Sequence, residues 1–294
     1  MAETAERGPV NVWLRPGQPD DAEICGPICY DAFSAIASAH GFPNDYPSAE
    51  VATALLSDRL RHPGVYSVVA EADGSVVGSA FMDMRSPIAG IGPVTVAPSV
   101  QNQGIGRLLM QDVLRRAAEQ RTPGVRLLQT TYHNRSLSLY TRLGFQVREL
   151  VACVQGAPVN LVIPGYEVRA ATAADIAACD ALCTRVHGHH RHGEVSDSVG
   201  DGTCLVVEHH GRLSGYSTGL AFGAHSVGET NEDLKALIGA AAGFLGPGIL
   251  VPATNTELFN WCLAGGLRIV ELLSLMTTGL YNQPAGSYLP SILF

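Results

Sequence analysis

One order of elements occurs twice along the chain: strand, asparagine, short helix, glycine, long strand. In the first half, His133-Asn134-Arg135-Ser136-Leu137-Ser138-Leu139-Tyr140 opens the helix and Gly144 closes it. In the second half, Thr254-Asn255-Thr256-Glu257-Leu258-Phe259-Asn260-Trp261 and Gly265 hold the same places. With one inserted residue, Glu149-Leu150 falls on Glu271-Leu272. Few identities survive, so what is duplicated is the order of elements. Pro164-Gly165 punctuates the chain, and Tyr166-Glu167-Val168-Arg169 repeats the character of Val12-Trp13-Leu14-Arg15. The 294 residues suffice for two ordinary domains. The expected division is 1–164 and 165–294.

Residue periodicity fills in each copy. In the first, strands are expected over 12–15, 65–71, 76–84, 91–96, 125–131, 145–154 and 159–163. Helices are expected over 21–40, 48–61, 107–121 and 136–143. Ile24, Ile28, Ala32, Ile36 and Ala39 predict the buried face of the first helix, and Leu109, Val113 and Ala117 that of the third. Asp73-Gly74 and His210-Gly211 are two-residue hairpin signals. In the second copy, strands are expected over 204–209, 213–222, 249–252 and 267–277, with helices over 175–187, 231–244 and 256–264. Each copy then reads as a mixed sheet with helices on both faces, an α/β layer structure. Residues 1–11 read as a loose leader, and the apolar end, 288–294, is expected to dock.

Several classes are disfavoured by composition. The net charge of −8 repels phosphate backbones and argues against a nucleic-acid partner. Seven irregularly spaced cysteines argue against a secreted disulfide framework and read as small buried hydrophobes. There is neither a signal-like N-terminus nor an apolar run of membrane-spanning length, so no membrane association is expected and the cytoplasm is the expected location. The histidines at 187, 189, 190 and 192 lack a well-spaced acidic or cysteine partner and read as an exposed loop. No metal is expected.

The strongest local signal runs from Val94 through Val96 and Pro98 to Gln101-Asn102-Gln103-Gly104-Ile105-Gly106-Arg107. A strand delivers a glycine-bearing loop directly to a helix N-terminus. First-turn amides have no intrahelical partners, and the helix dipole adds positive potential. Such a site suits a pyrophosphate. There is no Gly-Lys-Ser/Thr ending as in a nucleoside-triphosphate loop, and no three-glycine dinucleotide fingerprint.

The chain resembles the GCN5-related N-acetyltransferase (GNAT) superfamily. Gln101 to Gly106 satisfies that family's Gln/Arg-x-x-Gly-x-Gly/Ala pattern, and Asn134, Tyr140, Gly144 and Phe145 follow in its order and spacing. The resemblance implies two tandem GNAT-like domains, the second degenerate, with acetyl-CoA as cosubstrate. It implies that Val94 and Val96 offer backbone to the pantetheine arm and that Gln101, Asn102, Gln103, Gly104, Ile105, Gly106 and Arg107 grip the pyrophosphate. Asn134 would contact the pantetheine or order its helix. Tyr140 would act as general acid towards the leaving thiolate. The implied reaction is transfer of an acetyl group to a primary amine of a small molecule or peptide end; a non-catalytic acyl-CoA sensor and transfer from another acyl-CoA are the alternatives. Asp83, His133, Glu71 or a water relay are the candidate bases, and Phe42, Tyr46 and Phe81 the candidate acceptor walls. In the second half, 225–232 stands where the loop should be, Glu229 and Glu232 bring the wrong charge, and Trp261 replaces Tyr140. That half is expected not to use acetyl-CoA. Oligomerisation is left open.

Overall fold

The structure is a computed structural model that describes residues 11–293. The expectation for the leader lies, except for Asn11, outside the described residues. The chain divides into two compact units, one comprising residues up to Met82 with Ile91–Gln120, the other Asp83–Gly90 with Arg121–Phe294.

The first unit holds β1 (Val12–Pro16), α1 (Ala22–His40), α2 (Ala49–Arg61), β2 (Val65–Ala72), β3 (Ser75–Asp83) up to Met82, β4 (Ile88–Val96) from Ile91 onward, and α3 (Ile105–Glu119). The strands are ordered β1-β2-β3-β4. Asp73 and Gly74 both take positive φ, as a two-residue hairpin requires. Arg15 on β1 ties the entry of α1 to β2: its guanidinium meets Asp21 at 2.7 Å and Glu71 at 2.6 Å. Ser48 caps α2 by accepting from the Val51 amide.

The face of α1 differs from expectation. Ile24 is 48% exposed, whereas Cys25 and Cys29 are fully buried, alongside Gly26 and Ala37. Small residues win this face because α2 approaches closely. A Cβ on Gly26 would lie 2.5 Å from the Thr53 Cα. Gly26→Ala should therefore cost about 1–3 kcal/mol through overpacking, read as a lower urea midpoint at unchanged m-value. Expectation and structure agree for α3, where Leu109, Val113 and Ala117 are buried with Ile105 and Met110.

The second unit holds β5 (Gly124–Thr130), α4 (Asn134–Arg142), β6 (Gln146–Gln155), β7 (Tyr166–Ala170), α5 (Ile176–His187), α6 (His192–Gly200), β8 (Leu205–His209), β9 (Arg212–Ser217), β10 (Ser226–Gly228), α7 (Asn231–Ala240), β11 (Ile249–Pro252), α8 (Thr256–Ala264), β12 (Arg268–Gly279) and β13 (Ser287–Leu289). Residues 88–90 of β4 pair in parallel with 124–126 of β5. Beyond β5 the order is β12-β6-β11, and a second sheet runs β13-β10-β9-β8-β7.

The duplication has a structural consequence. β5 and β11 are repeat counterparts, as are β6 and β12, so the order β5-β12-β6-β11 maps onto itself when the copies are exchanged. Each copy's long strand lies between two strands of the other copy. Arg169, Asp175 and Glu208 also repeat the Arg15, Asp21 and Glu71 triad, with separations of 2.8 and 2.6 Å.

Several expected elements change. Residues 159–163 form no strand; the Leu161 amide donates to the Gly239 carbonyl at 3.2 Å instead. The strand expected over 213–222 ends at Ser217. Helix α6 and strands β10 and β13 were not anticipated. The chain end does dock: Leu289 and Leu293 are buried, and the Ile292 amide donates to the Phe222 carbonyl.

Half of the histidine cluster departs from the expected exposed loop: His190 and His192 are exposed, but His187 and His189 are buried. Gly188 ends α5 in a left-handed conformation, and His187 and His189 turn inward, His187 edge-on to Tyr288. Nearby, half-buried Glu194 meets Arg191 at 2.5 Å and His225 Nδ1 at 3.1 Å, while His225 Nε2 lies 2.9 Å from the Tyr216 hydroxyl. Burial, then the charge of Arg191, lowers His225 to about 4, and burial likewise lowers His189 to about 4. The folded state thus refuses protons that the unfolded chain accepts near pH 6.5, so stability falls as pH drops from about 6.5 to 4. Burial opposes ionisation of Glu194, but Arg191 and His225 outweigh it and hold its pKa low. Its contribution is present above the ordinary carboxylate range and is lost below it. Urea unfolding at pH 7 and 4.5 should show a loss on the order of 2 kcal/mol for each of His189 and His225, reduced in His225→Gln.

Candidate functional site

In the first unit, β4 ends at Val96 and a short turn brings the chain to α3. Val94 and Val96 are half-buried, whereas Thr95 between them is buried, its Oγ1 3.3 Å from Ser79 Oγ. Gln101 Nε2 donates to the Val96 carbonyl at 3.0 Å. The side chain of Gln101 therefore fastens the loop to the strand end. Asn102 and Gly104 both take positive φ. Gly104 is the N-cap of α3 without a side-chain cap, and a Cβ built on it would meet nothing within 4 Å. Asn102, Gln103, Gly104 and Arg107 are exposed, Gly106 is half-buried and Ile105 is buried beneath them. The result is an exposed, uncapped N-terminus of a fifteen-residue helix, bare of acidic side chains in its first turn. Its chemistry suits an anion.

In the second unit, Asn134 is the exposed first residue of α4, with His133 as N-cap. Tyr140 is buried and packs at a tilt against Phe145, ring centres 6.1 Å apart. Burial raises the Tyr140 phenol to about 12, against the opposing effect of a hydrogen bond from Ser136. It is protonated at neutral pH and remains a donor. Ser136 Oγ lies 2.6 Å from His133 Nδ1.

The second copy treats the same positions differently. The N-terminus of α7 is closed by a capping box, Asp233 accepting from the Thr230 amide and hydroxyl at 2.8 and 2.9 Å. Glu229 is held by Arg212 and Arg185 rather than standing alone. Asn255, the counterpart of Asn134, exchanges hydrogen bonds with Asn231 at 2.8 and 3.1 Å. Lys235 joins Glu232 to Glu257, at 2.6 Å from each. The edge of β10 is taken by β13, Val227 opposite Tyr288. The Thr230 and Asp233 amides, the asparagine and the strand edge are engaged within the protein. Residues 226–228, expected in the loop, are themselves the strand.

Of the candidate bases, two have structural work. Asp83 is buried and gripped by Arg85, which also meets Asp197 at 2.7 Å. Glu71 is held by Arg15 and by the Trp13 indole at 2.7 Å. Phe81 is fully buried in the core of the first unit, so it offers no surface as an acceptor wall. Tyr46 packs edge-on against Phe33 and is half-buried, as is Phe42. Among the described residues, no group of three His, Cys, Asp or Glu side chains is placed to hold a metal, and no helix is long and apolar enough to cross a membrane.

The exposed, glycine-bearing helix start of the first copy and the closed equivalent positions of the second sit in a duplicated α/β fold of mixed sheets flanked by helices. Residues 32–145 match the model of the acetyltransferase (GNAT) family. A mycothiol acetyltransferase from Tsukamurella paurometabola is 27% identical over 150 residues, covering 46% of this chain and 51% of the relative. The chain thus spans about half the length of that curated relative. A putative acetyltransferase from Pyrococcus horikoshii superposes with a TM-score of 0.72 at 15% identity, covering 97% of each chain. A tandem GNAT protein from the clavulanic acid biosynthesis pathway gives a TM-score of 0.59 at 14% identity, covering 92% of this chain and 98% of its own. At such identities the likeness establishes the tandem fold.

Proposed function

We propose that this chain is a cytoplasmic N-acetyltransferase that moves the acetyl group of acetyl-CoA to a primary amine of a small molecule or peptide end. The observation that carries the reading is the open N-terminus of α3, where Gly104 leaves room for a pyrophosphate at amides that no side chain caps. The family match over 32–145 supplies the donor class. The seven cysteines are free and buried, in keeping with a reducing compartment. The copies 1–164 and 165–294 are read as the active and the silent domain.

Roles follow from the chemistry. Asn102, Gln103, Gly104, Ile105, Gly106 and Arg107 bind the pyrophosphate, Arg107 adding charge, and Gln101 holds the loop on Val96. Backbone groups of Val94 and Val96 bind the pantetheine arm, and a backbone amide of that strand donates to the oxyanion of the tetrahedral intermediate. Asn134 contacts the pantetheine or orders α4. The acceptor amine attacks neutral, losing its excess proton to water, because Asp83 and Glu71 are engaged elsewhere. Tyr140 donates to the departing thiolate. No enzyme nucleophile is needed for direct attack.

Acetyl-CoA presented with a panel of amino acids, polyamines, aminoglycosides and peptide N-termini tests this. Amine-dependent release of CoA thiol with matching N-acetyl product is expected. Binding of acetyl-CoA without turnover on any member would point to a sensor, and faster turnover of succinyl-CoA to another donor.

A further inference from the structure

Gln129 of β5 lies directly opposite Ser274 of β12. The sheet register fixes the same place in the second copy, where Val251 of β11 lies opposite Ala152 of β6. Ala152 and Ser274 each stand three residues beyond the matching Glu149 and Glu271. Two residues past Gln129, the Thr131 amide donates to the Leu272 carbonyl at 2.9 Å, as the Ala253 amide donates to the Leu150 carbonyl at 2.8 Å. Gln129, Ser274 and Thr131 thus occupy the places that Val251, Ala152 and Ala253 hold in the closed copy. Leu128, next to Gln129, points the other way, into a cluster with Leu250, Leu273 and Leu275. Val251 and Ala152 are fully buried in the cluster that includes Leu258 and Cys262 of α8. The counterpart of α8 is α4, so Gln129 lies on the α4 side of its strand.

The second copy shows that sheet packing needs no polar group here. Yet Gln129 is 6% exposed, and neither its Oε1 nor its Nε2 meets a hydrogen-bond partner among the described residues. The same is true of Oγ1 of half-buried Thr131. A buried carboxamide left unbonded is destabilising, and a valine at that place avoids the loss. We propose that Gln129 binds a secondary amide of the pantetheine arm of acetyl-CoA through its carboxamide. The inference rests on the acetyl-CoA reading given above and adds a side chain to it. Each pantetheine amide offers one N–H and one carbonyl, and a carboxamide answers both, donating through Nε2 and accepting at Oε1. Pairing of β5 with β4 is confined to 124–126, so Gln129 sits on the part of β5 beyond it, five residues before Asn134.

Calorimetric titration of the wild-type chain, Gln129→Leu and Gln129→Met, with acetyl-CoA and with adenosine 3′,5′-bisphosphate, tests this. The bisphosphate is a part of the cofactor that lacks the pantetheine arm. Gln129→Leu should raise the acetyl-CoA dissociation constant by about tenfold and leave that of the bisphosphate within about twofold. It should also raise the urea midpoint, because an apolar side chain replaces an unbonded carboxamide. Gln129→Met keeps the unbranched shape and carries the same test should the leucine variant not fold. Unchanged acetyl-CoA affinity in a folded variant, or equal weakening of both ligands, would overturn the role of Gln129 alone. Wild-type protein that does not bind acetyl-CoA would overturn the cofactor reading first, and this inference with it.

Discussion

Tyr140→Phe should lower kcat for acetyl transfer by about 10²–10³-fold and leave the acetyl-CoA dissociation constant within about twofold. The substitution removes one oxygen and keeps the ring. The packing on Phe145 is therefore retained, and no large change in stability is expected. What disappears is a donor that stays protonated at neutral pH, because burial lifts the phenol to about 12. A loss confined to kcat is the signature of an interaction made in the transition state, whereas a rise in KM alone would mean that Tyr140 serves binding. Stopped-flow thiol release and equilibrium titration of the same variant separate the two.

Gly104→Asp should raise the acetyl-CoA dissociation constant by about 100-fold, while Gly104→Ala raises it far less. Both substitutions place a side chain at φ 85, where a Cβ has space but the backbone is strained. Only aspartate adds a negative charge beside the first-turn amides of α3. That gives α3 the character of α7, whose N-terminus is occupied by its own Asp233. Equal weakening in both variants would assign the effect to backbone strain and remove the electrostatic argument for the loop.

How much was legible in advance depended on how local the physics is. The loop from Val96 to Gly106 and the helix it opens are specified by residues within one turn of each other, and glycine alone supplies the left-handed step at 104. The hairpins at Asp73-Gly74 and His210-Gly211 are equally local. The duplication could be read because α4 and α8 keep their flanking asparagine and glycine. The buried face of α1 could not, since its composition answers to Thr53 on another helix rather than to hydrophobicity. The insertion of β12 between β5 and β6 is a pairing between residues more than a hundred positions apart, to which strand propensity is blind. For the same reason the sequence did not reveal that Glu194, His225 and Tyr216 form one chain, or that Asp83 is committed to Arg85.

Calorimetric titration of the intact chain with acetyl-CoA is the most direct test of a single working domain. The account predicts one site per chain, abolished or strongly weakened by Gly104→Asp and untouched by Asn231→Ala. Two sites would contradict the closure of the second copy by its capping box, its paired asparagines and β13. One site that ignores Gly104→Asp would contradict the placement of the pyrophosphate on α3.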